Sequence, residues 1–285
     1  MMRIALPNKG PLCEPTLRLL AEAGFGALDK PEASLCARCT DTRIEFLYAR
    51  VGDIPAYVAS GAAYAGITGA DMLAEKGAKV RDELDLEFGK CEVALAVPEG
   101  SGIRDIGGLE GKRIATKLPN IARRYLQERK AGAEIVELSG ATEIAPSAGM
   151  ADAIIDHVET GRTLAANRLV RIETLMRSSA RLIATTKNDA ASERIFEEIA
   201  LALRGVLSAR GLKYLVFNAP SPKVLQAAIA AVPAMESPTV LKLAKRGEWA
   251  VQTVVKAGQV AGVVRAVKEA GGKDILVMPL EKVIA

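Results

Sequence analysis

The sequence predicts an α/β protein with two lobes followed by a smaller C-terminal domain. Short apolar runs alternate with amphipathic helical stretches over most of the chain, which is typical of parallel α/β sheets. After about residue 210 the order of elements changes to β-α-β-β-α-β. The 285 residues are 49% hydrophobic and 25% charged, which suits two or three compact units. This composition excludes disordered, collagenous and coiled-coil proteins.

The first lobe is predicted from three apolar runs and three helical stretches. The strands are Arg3–Pro7, Ile44–Ala49 and Tyr64–Ile67. The helices are one that ends at Gly24, one over Asp53–Ser60 and one from Gly69 to Gly77. Gly24 suits the residue after a helix, and Asp53, with Pro55 close behind it, suits an N-cap.

The second lobe begins at an all-apolar strand. The predicted strands are Cys91–Pro98, Arg113–Lys117, Glu134–Leu138, Ala151–Val158 and Arg171–Met176, and the next strand, Ala180–Thr186, follows the crossing back to the first lobe. A long helix follows, with apolar residues at helical spacing from Ile195 to Val206. We expect the first lobe to comprise residues 1–89 and 179–210, and the second lobe residues 90–178. The second crossing, near residue 178, is inferred from strand count alone.

Residues 211–285 are predicted to form a separate domain. Its strands are Tyr214–Asn218, Thr239–Leu243, Trp249–Val255 and Asp274–Met278, and its helices are Pro222–Val232 and Gln259–Ala270. That order, β-α-β-β-α-β, is ferredoxin-like.

Charge and composition limit the partners. The net charge is only +4 and aromatic residues make up 4%, so neither nucleic acid nor a membrane surface is an expected partner. No apolar run reaches the roughly 20 residues of a membrane span, and the start lacks the apolar core of a signal peptide, so we expect a cytoplasmic protein. Cys36 and Cys39 form a single C-x-x-C, which is too few ligands for a structural zinc site.

Polar loops follow several of the predicted strands. In open α/β sheets ligands bind beyond the carboxyl ends of the strands, so these loops are candidates for a shared cleft. They are Asn8–Gly10, Thr68–Asp71, Thr116–Asn120 with Arg123 and Arg124 behind it, and Ser139–Glu143. Each alone would be read as a turn, a helix cap or a solvated charge, and only their convergence favours a binding site.

The fifth loop is the most informative. It runs from Asp152 to Leu164 and contains Thr160-Gly161-Arg162-Thr163. Gly161 permits close backbone approach, so that successive N–H groups and the two threonine hydroxyls suit a phosphate, and the upstream carboxylates Asp152 and Asp156 suit a sugar diol or its magnesium ion. The loop therefore predicts a site for a phosphorylated ribose. His157, the only histidine, is interpreted as a packed residue.

The run from Asp152 to Leu164 resembles the signature of the ATP phosphoribosyltransferase family, which catalyses the first step of histidine biosynthesis. Further runs that resemble the family are Ile4–Gly10, Arg50–Val58, Gly66–Gly69, Arg113–Thr116, Pro119–Asn120, Glu137–Gly140, Glu236–Thr239 and Asp274–Pro279. One position departs from the pattern, because Tyr64 stands where the family has an acidic residue.

The resemblance implies a fold of two periplasmic-binding-protein-like lobes and a reaction in which ring nitrogen 1 of ATP attacks phosphoribosyl pyrophosphate and releases pyrophosphate, with magnesium as cofactor. It implies catalytic roles for Lys9, Arg50, Asp152 and Asp156, the last two also as magnesium ligands. The implied substrate-binding residues are Asn8, Thr68, Gly69, Asp71, Thr116, Asn120, Glu159, Thr160, Gly161, Arg162, Thr163 and Leu164.

The family's long form also implies regulation. By resemblance, histidine would bind the C-terminal domain at Asn218, Met235, Ser237 and Thr239 and inhibit a homohexamer that exchanges with dimers. The alternative for this domain is a purely structural oligomerisation cap.

Two other functions remain open from the sequence. One is a cytosolic two-lobed protein that only binds a small anion, and the other is a phosphoribosyltransferase with a different acceptor.

Overall fold

The computed structural model describes residues 1–29, 35–232 and 237–284. By internal contacts the chain divides into two compact units, Met1–Ala200 and Leu201–Ala285. Within the described residues no helix combines the length and the apolar character needed to cross a bilayer.

The elements agree with the predicted order. The strands are β1 (Met2–Pro7), β2 (Cys36–Arg38), β3 (Ile44–Ala49), β4 (Ala65–Gly69), β5 (Val80–Asp85), β6 (Cys91–Pro98), β7 (Arg113–Thr116), β8 (Glu134–Glu137), β9 (Ala153–Val158), β10 (Leu169–Ser178), β11 (Ala180–Thr185), β12 (Leu212–Ala219), β13 (Thr239–Lys242), β14 (Trp249–Lys256) and β15 (Lys273–Pro279). The helices are α1 (Cys13–Ala23), α2 (Ile54–Ser60), α3 (Ala70–Lys76), α4 (Pro119–Arg129), α5 (Arg162–Ala166), α6 (Ala190–Ala209), α7 (Pro222–Ala231) and α8 (Val260–Glu269).

The first sheet has the strand order β2-β3-β1-β4-β11-β5. β1 pairs in parallel with β3 and β4, whereas β11 lies antiparallel to both β4 and β5. The sheet is therefore mixed: the pairs of β1 with β3 and β4 are parallel, and the pairs β2–β3, β4–β11 and β11–β5 are antiparallel.

The second sheet has the order β10-β6-β9-β7-β8. β7 is parallel to β8 and β9, and β6 is antiparallel to β9 and β10. The chain enters this sheet at Cys91 and leaves it at Ser178. The two sheets with their helices form two lobes.

Several local features differ from the sequence prediction, including the additional strand β2. β5 was not predicted, because four of its six residues are charged; Arg181 of β11 lies 2.8 Å from Asp82 and 3.0 Å from Asp85 and pairs with both. Asp53 precedes α2 as expected, but its side chain makes no capping hydrogen bond. Its backbone is already helical, at φ −95° and ψ −21°, rather than in the extended conformation usual for a capping residue.

Tyr64 joins α6 to the first sheet. Its hydroxyl donates to the carboxylate of Glu193, which also lies 2.9 Å from the guanidinium of Arg81. Burial, followed by the hydrogen bond to Glu193, raises the pKa of Tyr64 to about 12. The resemblance expects an acidic residue at position 64, and in this chain the carboxylate beside position 64 is that of Glu193 on α6.

The second unit has one antiparallel sheet of order β13-β14-β12-β15. Leu215 and Phe217 of β12 and Val251 of β14 are buried in one apolar cluster with Ala228 of α7 and Val267 of α8. Both helices therefore cover the same face of the sheet, as the predicted ferredoxin-like order requires.

Candidate functional site

Four strands end at one cavity of the first unit, which has a volume of about 400 Å³. β1 and β4 reach it from the first sheet, and β7 and β9 from the second. Its walls carry basic, acidic and small residues: Lys9, Gly10, Pro11, Leu12, Val51, Gly69, Asp71, Met72, Gly89, Cys91, Lys117, His157 and Glu159. The strand-end loops that the sequence singles out therefore meet in part at one cavity between the two lobes.

Four charged side chains form a connected network in the wall of this cavity. His157 Nε2 lies 2.7 Å from Asp71 Oδ2, and His157 Nδ1 lies 3.5 Å from Asp156 Oδ1. Lys117 Nζ lies 2.8 Å from the same Asp156 oxygen. Two cations and two anions thus alternate along the network, and the Asp71–His157 contact joins the two lobes.

The network shifts the pKa values of its members. Burial alone would lower the pKa of His157, but hydrogen bonds to Asp156 and Asp71 raise it to about 9. Burial alone would raise the pKa of Asp156, but hydrogen bonds from His157 and Lys117 lower it to about 2. The pKa of Asp71 is also lowered, because bonds from His157 and Ser178 outweigh its burial. At neutral pH the imidazole is therefore protonated and both carboxylates are charged.

Asp71 is held from two further sides. Ser178 Oγ donates to Asp71 Oδ1 at 2.5 Å and accepts the Asp71 backbone N–H at 3.0 Å. A Cβ atom at Gly69 would lie 2.1 Å from Asp71 Oδ1, so only glycine leaves room for this carboxylate position.

The loop after β9 continues the site beyond the cavity. Glu159 lines the central cavity and also two neighbouring ones of about 550 and 490 Å³. The third cavity is lined by Thr160, Gly161 and Leu164 of the loop. Gly161 has φ 73° and precedes α5 without any side-chain cap, which leaves the N–H groups of the first helical turn as donors.

Several predicted site residues use their polar atoms within the protein. Thr68 Oγ1 donates to the Val51 carbonyl at 2.8 Å, and Thr116 Oγ1 donates to the Ile155 carbonyl at 2.7 Å; both residues are fully buried. Asn120 Nδ2 donates to a backbone carbonyl of α3 at 3.0 Å. These side chains shape the walls of the site.

Six others stay available. Lys9 lines the cavity, and among the described residues no hydrogen-bond or ion-pair partner is found for its ammonium group. Asn8 Oδ1, beside it, is buried without a hydrogen-bond partner in the described part of the chain. Arg50 is exposed directly after β3, as are Thr160, Arg162 and Thr163 in the loop.

The two predicted magnesium ligands are not brought together. Asp152 precedes β9, where its Oδ2 accepts the Arg113 backbone N–H at 2.9 Å, whereas Asp156 lies four residues further along. Four residues of extended strand span about 13 Å, too far for one ion. Within the described residues there is also no group of three histidine, cysteine or acidic side chains arranged for a metal. A resident magnesium site does not fit these side chains.

In the second unit, Asn218 Nδ2 donates to Asp274 Oδ2 at 2.9 Å. Thr239 is exposed at the start of β13, and Ser237 is exposed two residues before it. Met235, the remaining predicted histidine contact, lies outside the described residues.

Sequence reasoning missed the tertiary partners of the site. From the sequence, His157 is interpreted as a packed residue and Lys117, taken alone, as a solvated charge, whereas in the structure both line the cavity. Their positions at the carboxyl ends of β9 and β7 were the available signal. No local sequence signal points to Ser178, because its contact with Asp71 spans 107 residues of chain.

Comparison with known proteins gives a consistent result. The family model of ATP phosphoribosyltransferase (HisG) matches residues 50–205, and that of the HisG C-terminal domain matches residues 209–282. The ATP phosphoribosyltransferase of Methanocella arvoryzae is 44% identical over 285 residues, covering 100% of both chains. That of Natronomonas pharaonis is 43% identical over 283 residues, covering 99% of this chain and 100% of the relative.

A solved structure matches a large part of the chain. An ATP phosphoribosyl transferase (HisG:HisZ) complex from Thermotoga maritima contains a chain that is 29% identical to this one, with a TM-score of 0.62. The match covers 71% of this chain and 98% of the other.

Proposed function

Since this chain belongs to the ATP phosphoribosyltransferase family and catalyses the first step of histidine biosynthesis, we propose that its substrates, ATP and phosphoribosyl pyrophosphate, meet in the cavity between the two lobes. The observation that carries the proposal is the position of Glu159, which borders both this cavity and the one beside the Thr160–Leu164 loop. A donor whose phosphate lies on that loop would extend its anomeric carbon toward the cavity.

The loop binds the 5-phosphate of the donor. Gly161 supplies the left-handed backbone turn, the N–H groups of the first turn of α5 have no side-chain cap, and Thr160 and Thr163 add hydroxyl groups. Arg162 adds a positive charge. Asp156 lies in the network behind the loop, where it holds Lys117 and His157. Asp152, at the far end of β9, is left out of the site.

Two lysines bind the leaving pyrophosphate and the triphosphate of ATP. Lys117 is held by Asp156, whereas Lys9 lacks a protein partner within the described chain and so keeps its charge for a ligand. Cations fixed where negative charge develops lower the barrier, because they need no reorganisation during the reaction.

No general base takes part. Ring nitrogen 1 of adenine is already unprotonated and attacks directly, and His157, with a pKa of about 9, is protonated at neutral pH. The imidazolium contributes positive charge next to the departing pyrophosphate. Positioning of two bound substrates and electrostatic stabilisation of the leaving group carry the catalysis.

Magnesium arrives with the donor. The ion prefers phosphate oxygens, water and one or two carboxylates to an all-protein cage, which agrees with the lack of a clustered ligand set in the described residues. Magnesium is thus part of the substrate complex.

The C-terminal domain is regulatory. Histidine binds it at Asn218, Met235, Ser237 and Thr239, and inhibits the enzyme as a homohexamer that exchanges with dimers. The catalytic unit divides into lobes of residues 1–89 plus 179–210 and residues 90–178. None of the four cysteines, all within the described chain, forms a disulfide, which suits a cytoplasmic enzyme.

Pyrophosphate release tests the proposal. The purified chain with magnesium, ATP and phosphoribosyl pyrophosphate should release pyrophosphate, and free adenine, nicotinate or GTP in place of ATP should not support release. Equal turnover with another acceptor would show that the cavity is not built for ATP.

A further inference from the structure

Helix α3 carries a second contact between the lobes, one turn beyond Asp71. Glu75, near its end, is only 7% exposed, and its carboxylate accepts the backbone N–H of Asn120 at 3.1 Å and that of Ile121 at 3.0 Å. In return, Asn120 Nδ2 donates to the Glu75 carbonyl oxygen at 3.0 Å. Arg124 adds a hydrogen bond to the Ala74 carbonyl oxygen at 2.8 Å.

These bonds connect the two sheets through their helices. α3 directly follows β4 of the first sheet, and α4, which begins at Pro119, follows β7 of the second. Leu118 at the N-cap position of α4 has no polar side chain and makes no capping bond. The start of α4 is therefore capped by a carboxylate from the opposite lobe, where the helix dipole also favours negative charge.

The contact lies close to the reacting groups on both sides. Four residues of helix separate Asp71 from Glu75, which is about 6 Å along α3. On the other lobe, Lys117 precedes the capped end of α4 by two residues. Any movement of α4 relative to α3 thus changes the distance between Lys117 and the first-lobe wall that carries Lys9.

We propose that Glu75 is a positioning residue for the transfer reaction: by capping α4 across the lobes, it holds the acceptor and donor halves of the cavity at reaction distance. The proposal rests on the proposed function, in which ATP and the donor meet at this cavity. Transfer between two bound substrates is sensitive to misplacement, and a shift of about 1 Å can cost roughly 100-fold in rate.

A positioning role predicts a separation between binding and turnover. The 5-phosphate of the donor binds the Thr160–Leu164 loop, which belongs entirely to the second lobe, so loss of Glu75 changes donor affinity little. Turnover falls because the lobes no longer hold one fixed distance. A residue that only stabilised the fold would change neither quantity in the folded enzyme.

The experiment compares Glu75→Ala, Glu75→Gln and Arg124→Gln in the full chain. The matched control is Glu110→Ala, which removes a carboxylate that accepts the Gly132 backbone N–H at 2.9 Å within the second lobe. Measurements are kcat, the KM of both substrates and donor Kd by calorimetry, taken well below the unfolding temperature of each variant.

We expect Glu75→Ala to lower kcat at least about 10-fold while the Kd for the donor stays within about twofold of wild type. Glu75→Gln should recover part of kcat, because the amide oxygen still accepts an N–H bond. Arg124→Gln should lower kcat by a smaller factor, and Glu110→Ala should leave it unchanged. Wild-type kcat in folded Glu75→Ala overturns the proposal, as does an equal loss in Glu110→Ala.

If Glu75→Ala does not fold, Glu75→Gln and Arg124→Gln decide, and wild-type kcat in both overturns the proposal. Thr160→Ala separates this result from the proposed function. Unchanged donor affinity in Thr160→Ala contradicts the phosphate-loop assignment, whereas the kcat of the Glu75 variants tests the lobe contact alone.

Discussion

The imidazole Nε2 of His157 lies 2.7 Å from Oδ2 of Asp71, and the two residues belong to different lobes. A buried ion pair of this kind is costly to break, because removal of one partner leaves the other charge buried without compensation. Hydrogen bonds from Ser178 and to Asp156 fix the pair on either side. Both the stability and the geometry of the site therefore depend on the protonation of one histidine.

Stability should decline on the alkaline side. His157 has a raised pKa of about 9 against an ordinary value of 6.5, so its stabilisation is fully present below pH 6.5 and is lost as pH rises through about 9. The shift corresponds to on the order of 3 kcal/mol. Urea unfolding of the wild type and of His157→Gln between pH 6 and 10 measures it. The free-energy difference between the two should shrink over this interval, and a constant difference would contradict the charged pair.

The stability contribution of Asp156 depends on pH in the opposite direction. Asp156 has a lowered pKa of about 2 against an ordinary 3.8, so its contribution is present above pH 3.8 and is lost as pH falls through about 2.

Gly69→Ala should disrupt this pair without removing a polar group. The added Cβ would lie 2.1 Å from Asp71 Oδ1, so the carboxylate must leave its bonds to Ser178 and His157. We expect a loss of about 1–3 kcal/mol in the free energy of unfolding at pH 6, together with lower kcat. Gly69 is extended, at φ −85° and ψ 147°, so alanine adds no left-handed backbone strain there. Gly140→Ala is the control, because Gly140 is not left-handed either and no atom lies within 4 Å of a Cβ added to it. Equal effects of both substitutions would contradict a specific clash with Asp71.

The loop assignment predicts a specific effect on the donor. Thr160→Ala combined with Gly161→Val should raise the KM for phosphoribosyl pyrophosphate about 10-fold or more. The first substitution removes a hydroxyl that donates a hydrogen bond to the phosphate, and the second strains the left-handed turn at φ 73°. The KM for ATP should change little. Gly111→Ala, at φ 68° in open space, controls for backbone strain. A KM for the donor equal to that of wild type would refute the assignment.

The order of elements and the strand-end loops could be predicted from the sequence, because apolar periodicity and turn residues are local signals. Asp71 and Gly161 were found in this way. The partners that decide the chemistry could not be found so, since His157 meets Asp71 across 86 residues and Glu75 meets Asn120 across 45. The direction of β11 is likewise set by tertiary structure, because β11 enters the first sheet from the other lobe.

Removal of magnesium should affect turnover but not the resting protein. Because the described side chains offer no clustered metal site, EDTA should leave the unfolding midpoint of the substrate-free chain unchanged. Pyrophosphate release should stop in EDTA and return with added magnesium. A midpoint lowered by the chelator and restored by the ion would reveal a resident metal and contradict the view of magnesium as a donor ligand.

Histidine inhibition should depend on Asn218. Its side-chain amide donates to Asp274 on the same sheet, which orients the amide oxygen for a ligand amine. Asn218→Ala should raise the histidine concentration for half-inhibition about 10-fold, corresponding to part of a coupling free energy of about 1–3 kcal/mol, and should leave kcat without histidine unchanged. Lys245→Ala, which removes an exposed ion pair with Glu248 in the same domain, is the control and should be inhibited like the wild type. Because coupling between two sites is reciprocal, the substrates should weaken histidine binding to the wild type as measured by calorimetry. Unaltered inhibition of Asn218→Ala would show that histidine binds elsewhere.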